Sequence, residues 1–600
     1  MAKKKRSNRP KPRPQAAKLR VDRVDDESSS DESPASNDET AHRDEIAKAD
    51  REETESHRDE GARAKAKADR EETESRVAAK GQKSLPQARV TRDTLREGPK
   101  SRPGKKSKPW SGKPKGVDLV PEPRFWFGFE VTWAKLVLAR VVVFSLLALD
   151  ALLQIRHAPR YGAGDFNVAQ LGFLDALGPG RVAYGACQLL IAYFCVLAVF
   201  NVATRLVVPI AAVLYAWLYF GSQLDSYQHH YLVALMLGIA SFIPWARPVD
   251  AEPGTPVRSW AVRLLLVQLA IMYLWAAISK LDAVWLDGST LGSQITGSLR
   301  SVIDGTVGFR AASVMVIVVE LALAAMIWMR PTWIIAAPLG IAFHLGIVAT
   351  GFEIGLFAYV MCALYILVVP DALWVMLGDG LRPIGQAMQK LGDRPGWAAV
   401  IAGVVVAIGL ALLVRLPNAL AIAIATSLFV IALGVRALTR GGPPLASLGY
   451  AHAIAIVLWL VVDRATTVAV DYYRFWGGSQ RRLGDTVQAE AAYRKLVQIA
   501  PSEEVGHFQL ARILIATDRA DEGIEALHAA QRADPKRARA FSEEARWLAA
   551  QGRKPEAIAK AKDAVVVDPS DGDARALLDS LTGAKPAPGP RPAPRPDIDP

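Results

Sequence analysis

The stretch that decides the fold is AKLVLARVVVFSLLALDALLQI, residues 134–155. Its apolar residues are interrupted by only three charges, at Lys135, Arg140 and Asp150. A helix needs about 17–25 predominantly apolar residues to cross the hydrocarbon core of a bilayer, and this run is long enough. Because lipid offers the backbone no hydrogen-bond partners, a helix is favoured over an open sheet. The sequence therefore predicts a transmembrane helix here.

Ten further apolar runs follow along the chain. They are residues 182–203, 206–221, 231–246, 259–279, 311–329, 332–350, 355–377, 397–414, 418–435 and 446–463. Most of them reach the length of a span, although 206–221 and 231–246 are short. The runs predict an all-α fold, with a polytopic transmembrane helix bundle over residues 119–470. We therefore expect an integral, multi-pass membrane protein whose first partner is the lipid bilayer.

The charged residues are concentrated outside this region. The chain has 600 residues, of which 51% are apolar and 22% charged, and the charges crowd into residues 1–118 and 474–600. That segregation excludes a single soluble globule. Residues 1–118 contain few large apolar residues, so we predict a disordered charged tail. The unit KADREETES occurs twice in it, at 48–56 and 67–75, with a coiled-coil-like content of Ala, Lys, Glu and Arg but no apolar face.

The net charge of +12 and the basic residues of the tail raise the question of nucleic acid. Aromatic side chains, which would provide stacking platforms for bases, are almost absent from the tail. Basic residues before a first hydrophobic segment are typical of segments that set membrane orientation or bind lipid headgroups. We therefore expect no nucleic-acid partner and a cytoplasmic N-terminus in a bacterial inner membrane. Eleven spans would then put the C-terminal domain on the outer side.

The C-terminal region contains a repeat of 34 residues. Pro501, Pro535 and Pro569 are spaced by that interval, and each follows a stretch with small and apolar residues at fixed offsets. The period and the position of the prolines resemble the tetratricopeptide repeat. We predict such a domain over residues 471–583, followed by a Pro-rich disordered tail over 584–600. Stacked repeats form a concave surface, so we expect a protein or peptide partner.

Seven ionisable residues lie within or beside the predicted spans and are functional candidates, because such residues are costly in lipid. They are Arg140, Asp150, His229, His230, Lys280, Glu320 and His344. Each has a structural alternative. Lys280 would reach from a helix end to the interface, and Arg140 and Asp150 would form an ion pair. The neighbouring histidines would be interfacial, and Glu320 and His344 would bond other polar groups without doing chemistry.

With the N-terminus in the cytoplasm, successive predicted spans cross the membrane in alternating directions. This alternation brings His229, Lys280 and the turn at 350–355 to the same outer face, and the functional hypothesis rests on it. Burial among apolar walls disfavours the ammonium form of a lysine, and a neutral amine can act as a general base. A neighbouring imidazole could donate a hydrogen bond to a developing oxyanion. The substrate would be apolar and would enter from the lipid. Three nearby aromatic residues fit an interfacial belt better than a cofactor site: Tyr273, Trp275 and Trp285.

Four blocks of this sequence resemble, in the same order, blocks of vitamin K-dependent γ-glutamyl carboxylases and their bacterial HTTM-domain relatives. They are ARVVVFSLLALD (139–150), YQHHYLVAL (227–235), IMYLWAAISKLDAVWLDGSTLG (271–292) and FHLGIVATGFEIGLFAYVM (343–361). The combination is more specific than any single block, and the resemblance covers about 125–375. It implies the helical bundle of that superfamily.

The resemblance also implies a chemistry. In the carboxylases, a lysine matching Lys280 deprotonates a reduced naphthoquinone, which reacts with oxygen to give a strongly basic alkoxide and finally the epoxide. The alkoxide removes the γ-proton of a glutamate, and the carbanion captures carbon dioxide. A histidine matching His229 stabilises the oxygenated quinone. Gln228 departs from the family's asparagine, and a repeat domain replaces the large lumenal domain, so quinol epoxidation is easier to defend than protein carboxylation.

Two classes of function follow from the sequence. The first is a γ-carboxylase-like epoxidase or carboxylase at the outer membrane face, with a reduced naphthoquinone of the vitamin K or menaquinol type as cofactor. The second is a non-catalytic membrane scaffold that recruits partners through its repeats. No metal is inferred, because Cys187, Cys195 and Cys362 all lie in apolar runs without the spacing of metal ligands.

Overall fold

The computed structural model describes residues 127–163, 168–224, 227–246, 252–351, 354–381, 396–441 and 444–584, together with residues 383 and 386. The predicted tail at 1–118 lies outside these residues, and so does the predicted Pro-rich tail at 584–600 apart from its first residue. Two three-residue strands, β1 (Glu130–Thr132) and β2 (Pro256–Arg258), form one antiparallel pair, and the rest of the regular structure is helical. The all-α fold predicted from the sequence is confirmed.

The membrane region consists of fifteen helices in the described chain. They are α1 (Trp133–Gln154), α2 (Arg181–Val199), α3 (Thr204–Phe220), α4 (Gln228–Ala240), α5 (Trp260–Ile278), α6 (Ala283–Leu286), α7 (Ser289–Gln294), α8 (Gly297–Thr306), α9 (Phe309–Met326), α10 (Trp333–Ala349), α11 (Phe357–Leu364), α12 (Asp371–Gly380), α13 (Gly396–Ala411), α14 (Ala419–Arg440) and α15 (Leu445–Ala465). Short 3₁₀ turns join some of them, at Ile155–Arg160, Gly172–Leu177, Arg330–Thr332 and Tyr365–Leu367.

Seven helices of the described chain are long and apolar enough to cross a membrane. They are α1 with its following 3₁₀ turn, α2, α5, α9, α10 with its preceding turn, α14 and α15. An eighth span results if the pair Phe357–Leu367 and Asp371–Gly380, bent by 95°, is counted as one. The other predicted runs correspond to shorter helices, α3, α4 and α13. The protein is therefore a multi-pass membrane protein.

One end of the bundle, the strand end, is marked by the β1–β2 pair. Val131 lies opposite Val257 directly before α1 and α5, so both helices begin at this end. Arg330, just before α10, donates a hydrogen bond to the carbonyl of Glu130. Arg263 in the first turn of α5 donates to the carbonyl of Trp328, which follows α9, over 3.1 Å. The strand end therefore contains the beginnings of α1, α5 and α10 and the end of α9.

The opposite end, the repeat end, carries the C-terminal domain. The 3₁₀ turn after α1 packs on helix α16 (Val468–Arg482), where the His157 ring stacks on Phe475 at 5.6 Å. The guanidinium of Arg181, the first residue of α2, lies 4.0 Å from the ring of Trp476. The hydroxyl of Tyr473 donates to the carbonyl of Arg415 over 3.1 Å. The first repeat helix is thus packed directly on the membrane bundle, in one continuous apolar core.

Glycines allow α13 and α15 to pack with their backbones in contact. A Cβ atom at Gly449 would overlap the carbonyl group of Ala399, and one at Gly403 would lie 2.5 Å from the carbonyl oxygen of Gly449. Small residues are the usual means of close helix packing in membranes, where apolar side chains gain nothing from leaving lipid. Gly403 and Gly449 therefore allow the close packing of α13 against α15.

We expect Gly449→Ala to destabilise the bundle, because the new methyl group must push apart two backbones. Overpacking of this kind costs about 1–3 kcal/mol. The measurement is the thermal midpoint of the detergent-solubilised protein. Gly409→Ala is the matched control, because a Cβ at this exposed position of α13 would have no heavy atom within 4 Å. Equal midpoints for the two variants would contradict the packing argument.

The C-terminal helices form three antiparallel pairs and a final helix. The pairs are α16 with α17 (Thr486–Ile499), α18 (Glu504–Ala516) with α19 (Ala520–Ala533), and α20 (Arg539–Ala550) with α21 (Lys554–Val567), followed by α22 (Gly572–Thr582). The turn inside each pair has one left-handed residue, and these residues are again 34 apart: Gly484, Asp518 and Gly552 have φ of 78°, 58° and 72°. Glycine adopts this conformation without strain, and Asp is one of the residues that tolerates it. The predicted repeat is confirmed.

The second and third repeats are joined through Glu544, whose side chain is 8% exposed. Its carboxylate accepts a hydrogen bond from Gln531 over 2.7 Å and lies 3.2 Å from both His528 and Lys560. Burial alone would raise the pKa of Glu544, but the contacts with Gln531, His528 and Lys560 together hold it below its usual value of 4.5. Three helices are thus tied to one carboxylate.

This carboxylate should make the repeats sensitive to acid. A lowered folded-state pKa contributes stability that is complete above the ordinary value of 4.5 and is lost as the pH falls through the folded-state pKa. We expect the rate of proteolysis within α19–α21 to rise below about pH 4.5 in the wild-type protein. In Glu544→Gln the repeats should be less stable at neutral pH and respond less to acid. An unchanged pH profile in this variant would contradict the role of Glu544.

Candidate functional site

Lys280 and Glu320 form the central contact of the candidate site. Lys280 follows the end of α5, and its side chain turns back so that Nζ donates to the carbonyl of Ala276 over 3.0 Å. The same nitrogen lies 2.9 and 3.0 Å from the two carboxylate oxygens of Glu320 on α9. Glu320 is only 4% exposed. Two of the predicted candidates are therefore brought together, as an ion pair between helices.

An aromatic ring covers the amine on another side. The ring of Trp285 lies 5.3 Å from the Nζ atom of Lys280, within the range of a cation–π contact. The indole N–H of Trp285 donates to the carbonyl of Ser313 on α9, and Asp282 caps the short helix α6 that carries the ring. The Lys280 side chain retains 21% exposure. The amine is thus held by polar and aromatic neighbours, on a side chain that is partly exposed.

The two histidines lie at the beginning of α4. The Nδ1 atom of His230 is hydrogen-bonded to the hydroxyl of Tyr215 over 2.8 Å, and the two residues line a cavity of about 20 Å³. That volume is enough for about one water molecule. The ring of His229 lies 5.5 Å from those of Tyr227 and Phe357. His230 is therefore held by a tyrosine, whereas His229 sits among aromatic rings.

His229 and Lys280 lie at the same end of the bundle, because α4 begins and α5 ends at the repeat end. Phe357, beside His229, opens α11 after the turn at 354–356. Within the described chain, however, the hydrogen bonds of Lys280 go to Ala276 and Glu320 and none goes to His229. The side-chain partner of Lys280 is thus a carboxylate.

His344 belongs to a separate buried chain of hydrogen bonds. Its Nε2 atom is 2.6 Å from the hydroxyl of Tyr273, which accepts a hydrogen bond from the hydroxyl of Tyr365 over 2.8 Å. Tyr273 is 1% exposed, so its assignment to an interfacial aromatic belt is wrong. The ring of Tyr365 occupies the space beside Gly340, where a Cβ atom would overlap it. This chain joins α5, α10 and the 3₁₀ turn after α11.

Arg140 and Asp150 do not form the ion pair that their positions allowed. Nη1 of Arg140 donates to the carbonyl of Trp245 over 3.1 Å, near the strand end. Asp150, ten residues further along α1, lies against the backbone N–H of Leu356 and the side chain of Gln154. The two residues are almost three helical turns apart on one helix, so each finds its own partner. In the described chain, Arg140 and Asp150 each make separate local contacts.

The sequence did not predict a second ion pair, between the buried Lys135 and the partly exposed Asp371. Lys135 is 0% exposed, and its Nζ lies 2.8 Å from a carboxylate oxygen of Asp371 at the start of α12 and 5.0 Å from the ring of Trp333. The sequence feature that could have indicated this pair is Lys135 itself, a charged residue inside the first apolar run. Lys135 ties α1 to the beginning of α12 at the strand end.

The residues around Lys280 indicate which kind of ligand the candidate site could bind. Among the described residues there is no group of three or more His, Cys, Asp or Glu side chains positioned to hold a metal ion. The side chain of Lys280 is partly exposed, and the apolar side chains of Ile278 and Leu281, close to it in the sequence, are exposed as well. A polar group at the edge of an apolar surface fits a ligand that has a hydroxyl and an apolar body.

The fold and the site define a multi-pass helical membrane protein with a C-terminal helical-repeat domain. Residues 130–374 match the HTTM domain, and residues 481–546 match the tetratricopeptide repeat. The chain therefore carries an HTTM domain followed by tetratricopeptide repeats, in the order that the sequence predicted. No curated protein matches the chain significantly.

Proposed function

We propose that this protein is a membrane enzyme of the quinol epoxidase or γ-carboxylase type, with Lys280 and Glu320 as its proton-transfer pair. The observation that carries the proposal is the contact of Lys280, which lies in the block that resembles the lysine block of the carboxylases, with both carboxylate oxygens of the buried Glu320. A reduced naphthoquinone would supply the reductant for oxygen.

The pair can act as a base even though the lysine is bound to a carboxylate. The ammonium group would donate one of its protons to Glu320 across 2.9 Å while it takes a proton from the substrate hydroxyl. One N–H bond breaks as another forms, and the negative charge moves from the carboxylate to the substrate oxygen. The pair fixes the positions of the groups that give and take the proton, and such positioning is required for general acid–base catalysis.

Two further features support this function. Lys280, His229 and the first repeat helix lie at the same end of the bundle, so a protein held by the repeats would be close to the site. The basic segment before α1 precedes the strand end, and such segments are retained in the cytoplasm. We therefore propose that the repeat end faces outward. A glutamate-containing segment bound to the repeats would be the acceptor if carbon dioxide is fixed.

The test uses the full chain reconstituted in lipid vesicles with a reduced naphthoquinone, oxygen, labelled bicarbonate and a Glu-rich peptide. We expect oxygen-dependent epoxide in the wild-type protein and its loss in Lys280→Ala. Lys495→Ala, at an exposed lysine of the repeats, is the matched control and should keep wild-type activity. Background product from the wild-type protein would refute the enzyme. Label in the peptide would identify carboxylation, whereas epoxide alone would limit the function to epoxidation.

The second candidate function is a scaffold without chemistry. The observation in its favour is the continuous core between the bundle and the first repeat, which would fix the repeats rigidly at the membrane. A scaffold would capture the same protein partners whether or not Lys280 is present. Retention of partner binding in Lys280→Ala, together with background epoxide in the wild-type protein, would establish it.

A further inference from the structure

A cleft at the strand end, away from Lys280, is lined by two arginines. It lies between the first turn of α3 and the last turns of α14, and has a volume of about 370 Å³. Its lining residues are Ala203, Arg205, Leu206, Leu433, Arg436, Ala437 and Gly441. The preceding helix α2 begins at the repeat end, and α14 begins just after Arg415 at that end, so both reach the strand end here.

The cleft carries positive charge that no carboxylate of the described chain neutralises. Arg205 and Arg436 are exposed, and neither guanidinium makes a hydrogen bond or ion pair with another described residue. Residues 176–224 and 394–462 contain no Asp or Glu at all. The first-turn N–H groups of α3, a helix of 17 residues whose N-cap Ala203 supplies no side-chain cap, add a partial positive charge. Two free guanidiniums and a helix N-terminus thus share one cleft.

The walls beside the cleft are apolar and uncovered. Leu206 is 37% exposed, Val435 50% and Leu438 60%. On helices that meet lipid, exposed leucine and valine side chains face acyl chains rather than water. A ligand in this cleft would therefore meet cationic groups at one end and hydrocarbon-facing side chains at the other. That is the arrangement of a phospholipid, whose phosphate lies at the membrane surface above its acyl chains.

We propose that this cleft binds the phosphate of an anionic phospholipid from the leaflet at the strand end. Guanidinium groups bind phosphate oxygens with paired, charge-assisted hydrogen bonds. Basic pockets between membrane helices are suited to anionic headgroups. The apolar walls distinguish a lipid from free phosphate, because only the lipid contacts them.

The test measures retention of phosphatidylglycerol by the purified full chain, using native mass spectrometry in detergent. We expect the wild-type protein to retain the lipid at least about tenfold more tightly than Arg205→Gln/Arg436→Gln, which corresponds to about 1.4 kcal/mol. Arg258→Gln/Arg310→Gln, at exposed arginines outside the cleft, is the matched control and should bind as the wild type does. Ala437→Asp keeps both arginines but adds a carboxylate to the lining, and should also lose the lipid.

Three results would overturn the proposal. One is equal retention by the wild type and both cleft variants, with thermal midpoints in phosphatidylcholine that show all proteins to be folded. Another is equal retention of phosphatidylcholine and phosphatidylglycerol by the wild type. The third is displacement of the lipid by glycerol phosphate at the same concentration as by short-chain phosphatidylglycerol, since this would show that the acyl chains contribute nothing.

Discussion

Lys280→Met, Glu320→Gln and the double variant should all lose quinol epoxidation to about the same extent. Removal of a general acid–base typically costs about 10²–10⁴-fold in rate. Because one proton passes through both groups, the second substitution should cost little once the first is made, as for other residues that act as a unit. The measurement is the initial rate of epoxide formation for the four proteins in the same vesicles.

The variant series also separates chemistry from folding. Lys280→Met leaves Glu320 buried without its partner, and breaking a buried pair costs about 3–5 kcal/mol, less here because the Lys280 side chain is 21% exposed. The double variant removes both charges and should recover stability without recovering activity. Arg258→Gln, which breaks an exposed pair with Glu130, is the control and should change neither. Independent, multiplicative losses in the two single variants would contradict a shared proton path.

Asp463→Ala should be the most destabilising single change outside the candidate site. Asp463 is 0% exposed near the end of α15, and its carboxylate accepts hydrogen bonds from the backbone N–H and the Nε of Arg415 over 3.2 and 3.1 Å. The carbonyl of Arg415 in turn accepts the hydroxyl of Tyr473 from the first repeat helix. Loss of one partner of such a buried pair costs about 3–5 kcal/mol, because the other charge stays in place without compensation.

The effect should be visible at the junction between the bundle and the repeats. We expect Asp463→Ala to lower the thermal midpoint and to admit protease between α15 and α17. Glu556→Ala, which breaks the exposed pair with Arg553, is the matched control and should change stability by less than about 0.5 kcal/mol. Similar midpoints and cleavage patterns for the two variants would contradict the role given to Asp463.

The elements imposed by a strong physical constraint could be predicted from the sequence. Lipid requires backbone hydrogen bonds to be made within a segment, so long apolar runs had to be helices. The spacing of Pro501, Pro535 and Pro569 directly indicated the 34-residue period of the helical repeats. In contrast, the short runs at 231–246 and 397–414 gave helices Gln228–Ala240 and Gly396–Ala411, because apolarity alone does not set helix length.

The partners within the site could not be predicted. Lys280 and Glu320 are separated by 40 residues, and their contact depends on how α6–α8 return the chain to α9. Tyr273 lies in the last third of the run 259–279, near Trp275, and only its packing against α10 and the 3₁₀ turn after α11 shows that it is buried. Asp518 occupies the left-handed turn position that glycine fills in the other repeats, and only its distance of 34 residues from Gly484 and from Gly552 could have indicated this.

The most direct test of the proposed enzyme is the stoichiometry between oxygen consumed and epoxide formed by the wild-type protein, with the double variant Lys280→Met/Glu320→Gln as the blank. One oxygen atom should enter the epoxide and the other should leave as water, so we expect one epoxide for each oxygen molecule consumed above the blank. Identical oxygen uptake in the two proteins, with no epoxide from either, would contradict it.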